Sequence, residues 1–303
     1  MRKDESGLKN SYATLSFDIE DWFQVESMKS KFPIKSWEHQ DLRVVESTQK
    51  ILDLLGKHQV QGTFFILGWI AEKVPGLIEK IYKSGHEIAS HGYSHKLNYK
   101  MTHDELFEDL KYSKKLLEDI TGETVYGYRA PTFSINDDVV RALVKIGYRY
   151  DSSWNKFATH DRYGRLEDVT MKKMKDHSVF LLNEKLTELC LPVEYLLSKS
   201  IPIAGGGFFR LYPLWFSKLM FKKYMTDHNY YMFYSHPWEF DTEQPKIKEI
   251  GWSNRLRHYI NLDNNTDKID AFIKYLKELN VEIITAKEYL FQSKQINTKG
   301  EGL

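Results

Sequence analysis

The chain has 303 residues, with 43 Lys and Arg against 42 Asp and Glu, a formal net charge of +1 and 42% hydrophobic residues. This reads as a soluble globular composition, long enough for one large domain or two ordinary ones. Balanced charge and the lack of any long basic run argue against a nucleic-acid surface, and no apolar stretch approaches the ~20 residues that span a bilayer.

The opening MRKDESGLKNSY has no apolar segment of the signal-peptide kind, so a cytoplasmic location is expected. Residues 1–11 and 293–303 are polar and expected to be disordered tails around a single domain over 12–292. TLSF (14–17) reads as a strand, RVVESTQKILDLLGKH as a helix, and GTFFIL (62–67) as a strand buried on both faces. PGLIEKIYKSG is a helix with proline near its start and glycine at its end, and HEIAS is a short strand. MTHDELFEDLKYSKKLLEDITG carries a capping box, Thr102 with Glu105, and stops at Gly122. VYGYRA and YRYDSS read as strands on either side of a helix capped by Asn136.

Residues 14–153 thus alternate strand and helix, which predicts parallel strands covered by helices. Residues 155–185 read as a polar, irregular insert. The rhythm then resumes with a strand at 188–193, a glycine-rich turn at AGGGFF (204–209), a helix from Pro213, the strand YYMFYS (230–235), a helix near 266–279 and a last strand, VEIIT. One barrel, with a core over 13–153 and 186–290, is preferred to two domains. The single cysteine, Cys190, lies in the apolar run ELCLPVEYLL and reads as buried, so no intramolecular disulfide is possible.

Reactive residues of a β/α barrel sit at the C-terminal ends of its strands. Asp18, Glu20 and Asp21 end the first strand, His91 follows HEIAS, Arg129 ends VYGYR, Asp151 ends YRYD and His236 ends YYMFYSH. In SHGYSH, His91 and His95 lie four residues apart. Two imidazoles and one carboxylate make a three-ligand metal set with an open position. A second carboxylate held ionised by an arginine can take a proton from water. A histidine across the site can protonate a leaving nitrogen, with an aspartate steering its ring. The set fits metal-assisted hydrolysis of an amide or ester. The nucleophile motif G-x-S-x-G is missing, and AGGGFF lacks the Lys-Ser/Thr of a phosphate-binding loop. Aromatic residues make up 14% of the chain, which suits large cores or sugar-stacking surfaces.

In this order the motifs SFDIED, SHGYSH, RAPTF, YDSSW and FYSHPWE resemble those of the NodB-homology polysaccharide deacetylases, carbohydrate esterase family 4, over about residues 13–290. GWIAEKVPGLI, HDRYG, AGGGFFRLYP and RHYINL further resemble a subgroup with a C-terminal extension associated with exopolysaccharide synthesis. The resemblance implies a distorted (β/α)7 barrel, one divalent metal ion, zinc as a rule, and removal of acetyl from N-acetylated sugars. It implies Asp18 as general base, Arg129 as its partner, His236 as acid with Asp151, and the backbone N–H of Thr132 as an oxyanion donor. Metal ligands are His91, His95 and either Glu20, which shares a strand face with Asp18, or Asp21 if the chain turns there. Trp22, Tyr93, Phe133 and Trp238 are the aromatics assigned to substrate contact. The partner is then a polysaccharide or its precursor. Two other functions stay open: hydrolysis of a small cyclic amide or ureide, and carbohydrate binding without catalysis.

Overall fold

The first strand, β1 (Tyr12–Ile19), is buried from Ala13 onward, as expected of a strand covered on both faces. The computed structural model describes residues 8, 10–155, 157, 163–174, 176, 178–197 and 199–298, with side chains to 292. After β1 come α1 (Val44–His58), β2 (Thr63–Ile66), α2 (Gly68–Lys73), α3 (Pro75–Lys83), β3 (Glu87–Ser90), α4 (His103–Thr121), β4 (Gly127–Tyr128), α5 (Asp137–Ile146) and β5 (Tyr150–Asp151). The second half holds β6 (Met171–Lys173), β7 (Val179–Leu182), β8 (Leu186–Leu189), β9 (Val193–Leu196), β10 (Lys199–Pro202), α6 (Gly206–Leu211) and α7 (Leu214–Tyr224). It ends with β11 (Tyr230–Ser235), α8 (Trp252–Tyr259), α9 (Asn265–Glu278), β12 (Glu282–Ile283) and α10 (Ala286–Thr298).

Strands β11, β1, β2, β3, β4, β5 and β8 run parallel side by side in that order, the parallel strands that the alternation predicts in the distorted (β/α)7 barrel that the resemblance implies. The gap between β8 and β11 is bridged by the glycine-rich segment. Ile203 N–H donates to Pro192 O just past β8, and Tyr234 N–H in β11 donates to Ala204 O. Gly205 has φ +141°, and a Cβ there would lie 2.0 Å from Tyr234 O, so the two backbones can meet only at glycine. AGGGFF therefore closes the barrel and starts α6, instead of forming only a turn.

Local signals set the helices. The Thr102–Glu105 box is formed at the start of α4, and Asn136 accepts from Val139 N–H at 2.9 Å to begin α5. Removing that acceptor in Asn136→Ala is expected to destabilise the protein by about 1 kcal/mol, read as a lower urea midpoint with unchanged slope. An unchanged midpoint would mean that the cap contributes nothing to the folded state.

The expected irregular insert at 155–185 is corrected in part. Its residues 158–162 lie outside the described residues, but β6 and β7 are ordered and pair antiparallel with each other and with β8. Lys172 and Lys173 are exposed on this edge. An edge strand wet on one face carries such lysines and so reads as loop. The strand expected at 188–193 begins earlier, and the hairpin β9–β10 follows it. Backbone helix continues to Thr298, into the expected C-terminal tail, whereas 1–7, 9 and 299–303 are outside the described residues. Cys190 is buried. No helix among the described residues is long and apolar enough to cross a membrane.

Candidate functional site

Because the barrel strands are parallel, their C-terminal ends share one face. Asp18 lies near the end of β1 with Glu20 just past it, His91 follows β3, Arg129 follows β4, and His236 follows β11. Asp18, Glu20, His91, His95 and His236 line one cavity of about 170 Å³, together with Thr132, Phe133, Tyr234 and Trp238. Its other wall comes from Gly207, Arg210 and, on α8, Asn254, Arg257 and His258.

Ligand atoms of Glu20, His91 and His95 all lie within 4.8 Å of one another, and all three side chains are buried. Glu20 Oε2 is 2.6 Å from His95 Nε2, yet it has no hydrogen-bond partner of acceptable geometry. His91 Nδ1 is 2.8 Å from the Arg129 carbonyl. A carbonyl can only accept, so Nδ1 carries the proton and Nε2 is left with its lone pair. Burial holds the His91 imidazolium down to about 4, so the ring is neutral at pH 7. Burial pushes the Glu20 carboxyl up, but His95, His236 and His91 outweigh it and bring it down to about 2. A buried, ionised carboxylate and two imidazoles, one of them neutral with its Nε2 lone pair free of a proton, make a donor set that fits a divalent cation.

Of the two candidate carboxylates, only Glu20 faces this cluster. Asp21 turns away and accepts from the N–H groups of Trp22 at 2.8 Å, Arg43 at 2.7 Å and Val44 at 2.9 Å. It caps the start of α1, whose first N–H groups would otherwise be orphaned. Burial raises its carboxyl to about 6 despite those bonds.

Asp18 Oδ1 accepts from Arg129 Nη1 at 2.6 Å. Arg129 is fully buried, lies over the Phe65 ring at 4.0 Å, and also donates to Ser16 Oγ, Ser152 O and Ser152 Oγ. Arg129 thus stands behind Asp18, outside the cavity lining.

The expected pairing of Asp151 with His236 is corrected. Asp151 accepts from Ser153 Oγ at 2.6 Å and Ser153 N–H at 3.1 Å, and it shares a buried carboxyl pair with Glu188. Burial raises both carboxyls, and the charge of Asp151 pushes Glu188 up further. Ser153 Oγ in turn accepts from Ala130 N–H, so Asp151 braces the loop after Arg129. The carboxylate on His236 is Glu239, whose Oε1 lies 2.8 Å from Nδ1. Glu239 Oε2 accepts from Ser235 Oγ at 2.9 Å and lies 3.4 Å from Arg210 Nε. Burial lowers the His236 imidazolium, but the Glu239 bond and charge, then Glu20 and Asp18, outweigh it and raise it to about 9. His236 Nε2 is left facing Asp18 Oδ2 at 3.8 Å and Glu20 Oε1 at 3.6 Å.

Glu239 has a sequence signal: it lies three residues after His236 in HPWE, and the 3-10 turn Pro237–Phe240 brings such residues together. Arg210 has none. Its partners are the carbonyls of Arg257, His258 and Ile260, 47–50 residues away. Through these bonds the AGGGFFRLYP and RHYINL segments meet behind His236.

The substrate aromatics divide. Phe133 and Trp238 line the cavity; Trp238 stacks between His236 at 5.1 Å and His258 at 4.3 Å. Thr132 also lines it, with a left-handed φ of +53°. Trp22 instead packs on Phe23 and Phe32, and Tyr93 bonds Glu72 away from the cavity. Both are corrected to structural contacts, because the chain turns at Asp21 and carries Trp22 into the core.

Comparison with known proteins follows the same division of the chain. Residues 32–150 match the family model described as Polysaccharide deacetylase, and 152–284 match one described as Domain of unknown function (DUF3473). A peptidoglycan deacetylase of Helicobacter pylori is 33% identical over 104 residues, 34% of this chain and 36% of the relative. A peptidoglycan-N-acetylglucosamine deacetylase of Bacillus cereus is 38% identical over 87 residues, 29% and 32% of the two chains. This chain spans about a third of the length of these curated relatives. Among solved structures, a putative polysaccharide deacetylase from Mycobacterium smegmatis has a TM-score of 0.51 at 20% identity, covering 91% of this chain and 94% of that one. A CE4 family pseudoenzyme from Bacillus anthracis has 0.52 at 15% identity, covering 93% and 66%. These two likenesses show the fold. The family model and the relatives thus make part of this chain similar to polysaccharide deacetylases. The two matched regions meet at β5 and share one barrel; the second supplies β8, β11, His236, Glu239 and Arg210.

Proposed function

We propose that this chain is a divalent-metal-dependent hydrolase that removes N-acetyl groups from N-acetylhexosamine units of a polysaccharide or its precursor. One observation carries the reading. The buried Glu20–His91–His95 cluster shares a cavity with an arginine-held carboxylate and a carboxylate-backed histidine. Zinc is the ion of choice for two imidazoles and one carboxylate, and when bound it would act as a Lewis acid and lower the pKa of water.

Asp18 takes the proton of the attacking water, and Arg129 keeps it ionised and aimed. The Thr132 N–H donates to the oxygen that gains charge as the acetyl carbon becomes tetrahedral. His236, charged through its bond to Glu239, gives its Nε2 proton to the departing sugar nitrogen. Phe133 offers an apolar wall to the sugar ring or its methyl group, while Trp238, stacked between His236 and His258, holds the His236 ring in place. Every reacting position holds a competent side chain, which favours this reading over carbohydrate binding alone.

Two measurements test it. Metal content after dialysis should be about one ion per chain in the wild type and lost in the His91→Ala, His95→Ala double variant; full retention by that variant would refute the ligand set. Product analysis separates the enzyme readings, because N-acetylglucosamine oligomers should yield free acetate. Turnover confined to ring opening of a cyclic ureide would place the chain with small-molecule amidohydrolases.

A further inference from the structure

Of the twelve large apolar side chains that are well exposed among the described residues, six lie between 195 and 219. They gather on two elements that touch: the β9–β10 hairpin and the α6–α7 pair, joined where Lys223 Nζ on α7 meets Tyr195 O on β9. Leu197 is 91% exposed and has φ +49°. It follows Leu196, which pairs with Lys199 across the hairpin. A tight turn of this kind favours asparagine, aspartate or glycine. A leucine there is both strained and hydrated, and folding of this chain alone does not explain it.

On α7, Trp215, Leu219 and Lys222 follow the i, i+4, i+7 spacing of one helix face, and Trp215 is 67% and Leu219 52% exposed. Met220, Phe221 and Tyr224 cover the opposite, buried face. The charge of this span is one-sided. Between 193 and 223 the only acid in the sequence is Glu194, which Lys223 neutralises at 2.7 Å, while Lys199 and Lys222 are exposed and Lys218 is half-buried on the same helix. The chain as a whole is nearly neutral at +1, so this excess is local.

We infer that the Leu196–Leu197 hairpin tip and the outer face of α7 form a docking surface for an anionic lipid bilayer. Apolar side chains enter the acyl boundary, and the surrounding lysines meet lipid phosphates. Apolar tips with a lysine collar are the features of an interfacial rather than a spanning element. The inference is independent of the catalytic reading, since binding is measured without substrate.

The full chain is sedimented with vesicles of equimolar phosphatidylglycerol and phosphatidylcholine, and with phosphatidylcholine alone. Wild-type chain should pellet with the anionic vesicles and be released by salt, which screens the lysines. The Leu197→Asn, Trp215→Ser, Leu219→Ser variant and the Lys199→Glu, Lys222→Glu variant should each lose on the order of tenfold or more in partitioning. The two variants alter different chemistry, so a folding fault in one leaves the other decisive; near-ultraviolet circular dichroism monitors both. Wild-type chain that stays in solution with anionic vesicles overturns the inference, as does unaltered binding by both variants. So does a lipid-free dimer that the triple variant disperses, because the patch would then belong to a second copy of the chain.

Discussion

Asp18→Asn is expected to keep its metal and its fold and to lose turnover on N-acetylated sugar by on the order of 10²–10⁴-fold. The amide that replaces the carboxylate retains an acceptor oxygen for Arg129 Nη1, and Arg129 keeps its bonds to Ser16 and Ser152, so the buried guanidinium is not stranded. What disappears is the carboxylate that takes the proton of water. Asp18→Ala is a harsher change, since it leaves a buried charge with a missing partner, which costs about 3–5 kcal/mol. The comparison separates the two roles: the asparagine variant should unfold near the wild-type midpoint and the alanine variant well below it. Near-normal turnover of Asp18→Asn would move the base elsewhere in the cavity.

His236→Ala should slow N-acetyl hydrolysis by on the order of 10²–10⁴-fold and affect an activated acetate ester far less. An amide nitrogen must be protonated as it leaves, whereas an activated ester oxygen leaves without that help. Equal loss on both substrates would make His236 a positioning residue. The pH profile tests its carboxylate. His236 must be charged to donate, and its imidazolium stands at about 9 with Glu239 bonded to Nδ1. Activity should therefore fall as pH rises through that region. Glu239→Gln removes the charge that favours the imidazolium, so the alkaline limb should move to lower pH. Asp151→Asn should leave the limb in place, because Asp151 bonds Ser153 rather than His236.

The residues legible from sequence were those whose role depends on where a strand ends. Asp18, Glu20, His91, Arg129 and His236 each lie at or just past the end of a short apolar run, and parallel strands bring such ends to one face. The choice between Glu20 and Asp21 was not legible, because it depends on the turn that sends Asp21 to the N–H groups of Arg43 and Val44. The pairing expected of Asp151 with His236 fails for a related reason. Placement at a strand end gives proximity, but the nearest donor, Ser153, captures its carboxylate first. Arg210 lies beyond any local pattern, since carbonyls distant in sequence hold it. The β6–β7 pair carries little strand signal because its lysines face water at a sheet edge, and the glycine run reads only as a turn because barrel closure is a long-range contact.

If Glu20, His91 and His95 hold the metal beside Asp18, acetate release depends on that ion. The most direct measurement is acetate release from an N-acetylglucosamine oligomer by one preparation of the chain, followed before chelation, after chelation and dialysis, and after addition of zinc. The account predicts release that stops with the chelator and returns with about one zinc per chain. Undiminished release from the metal-free chain would contradict it.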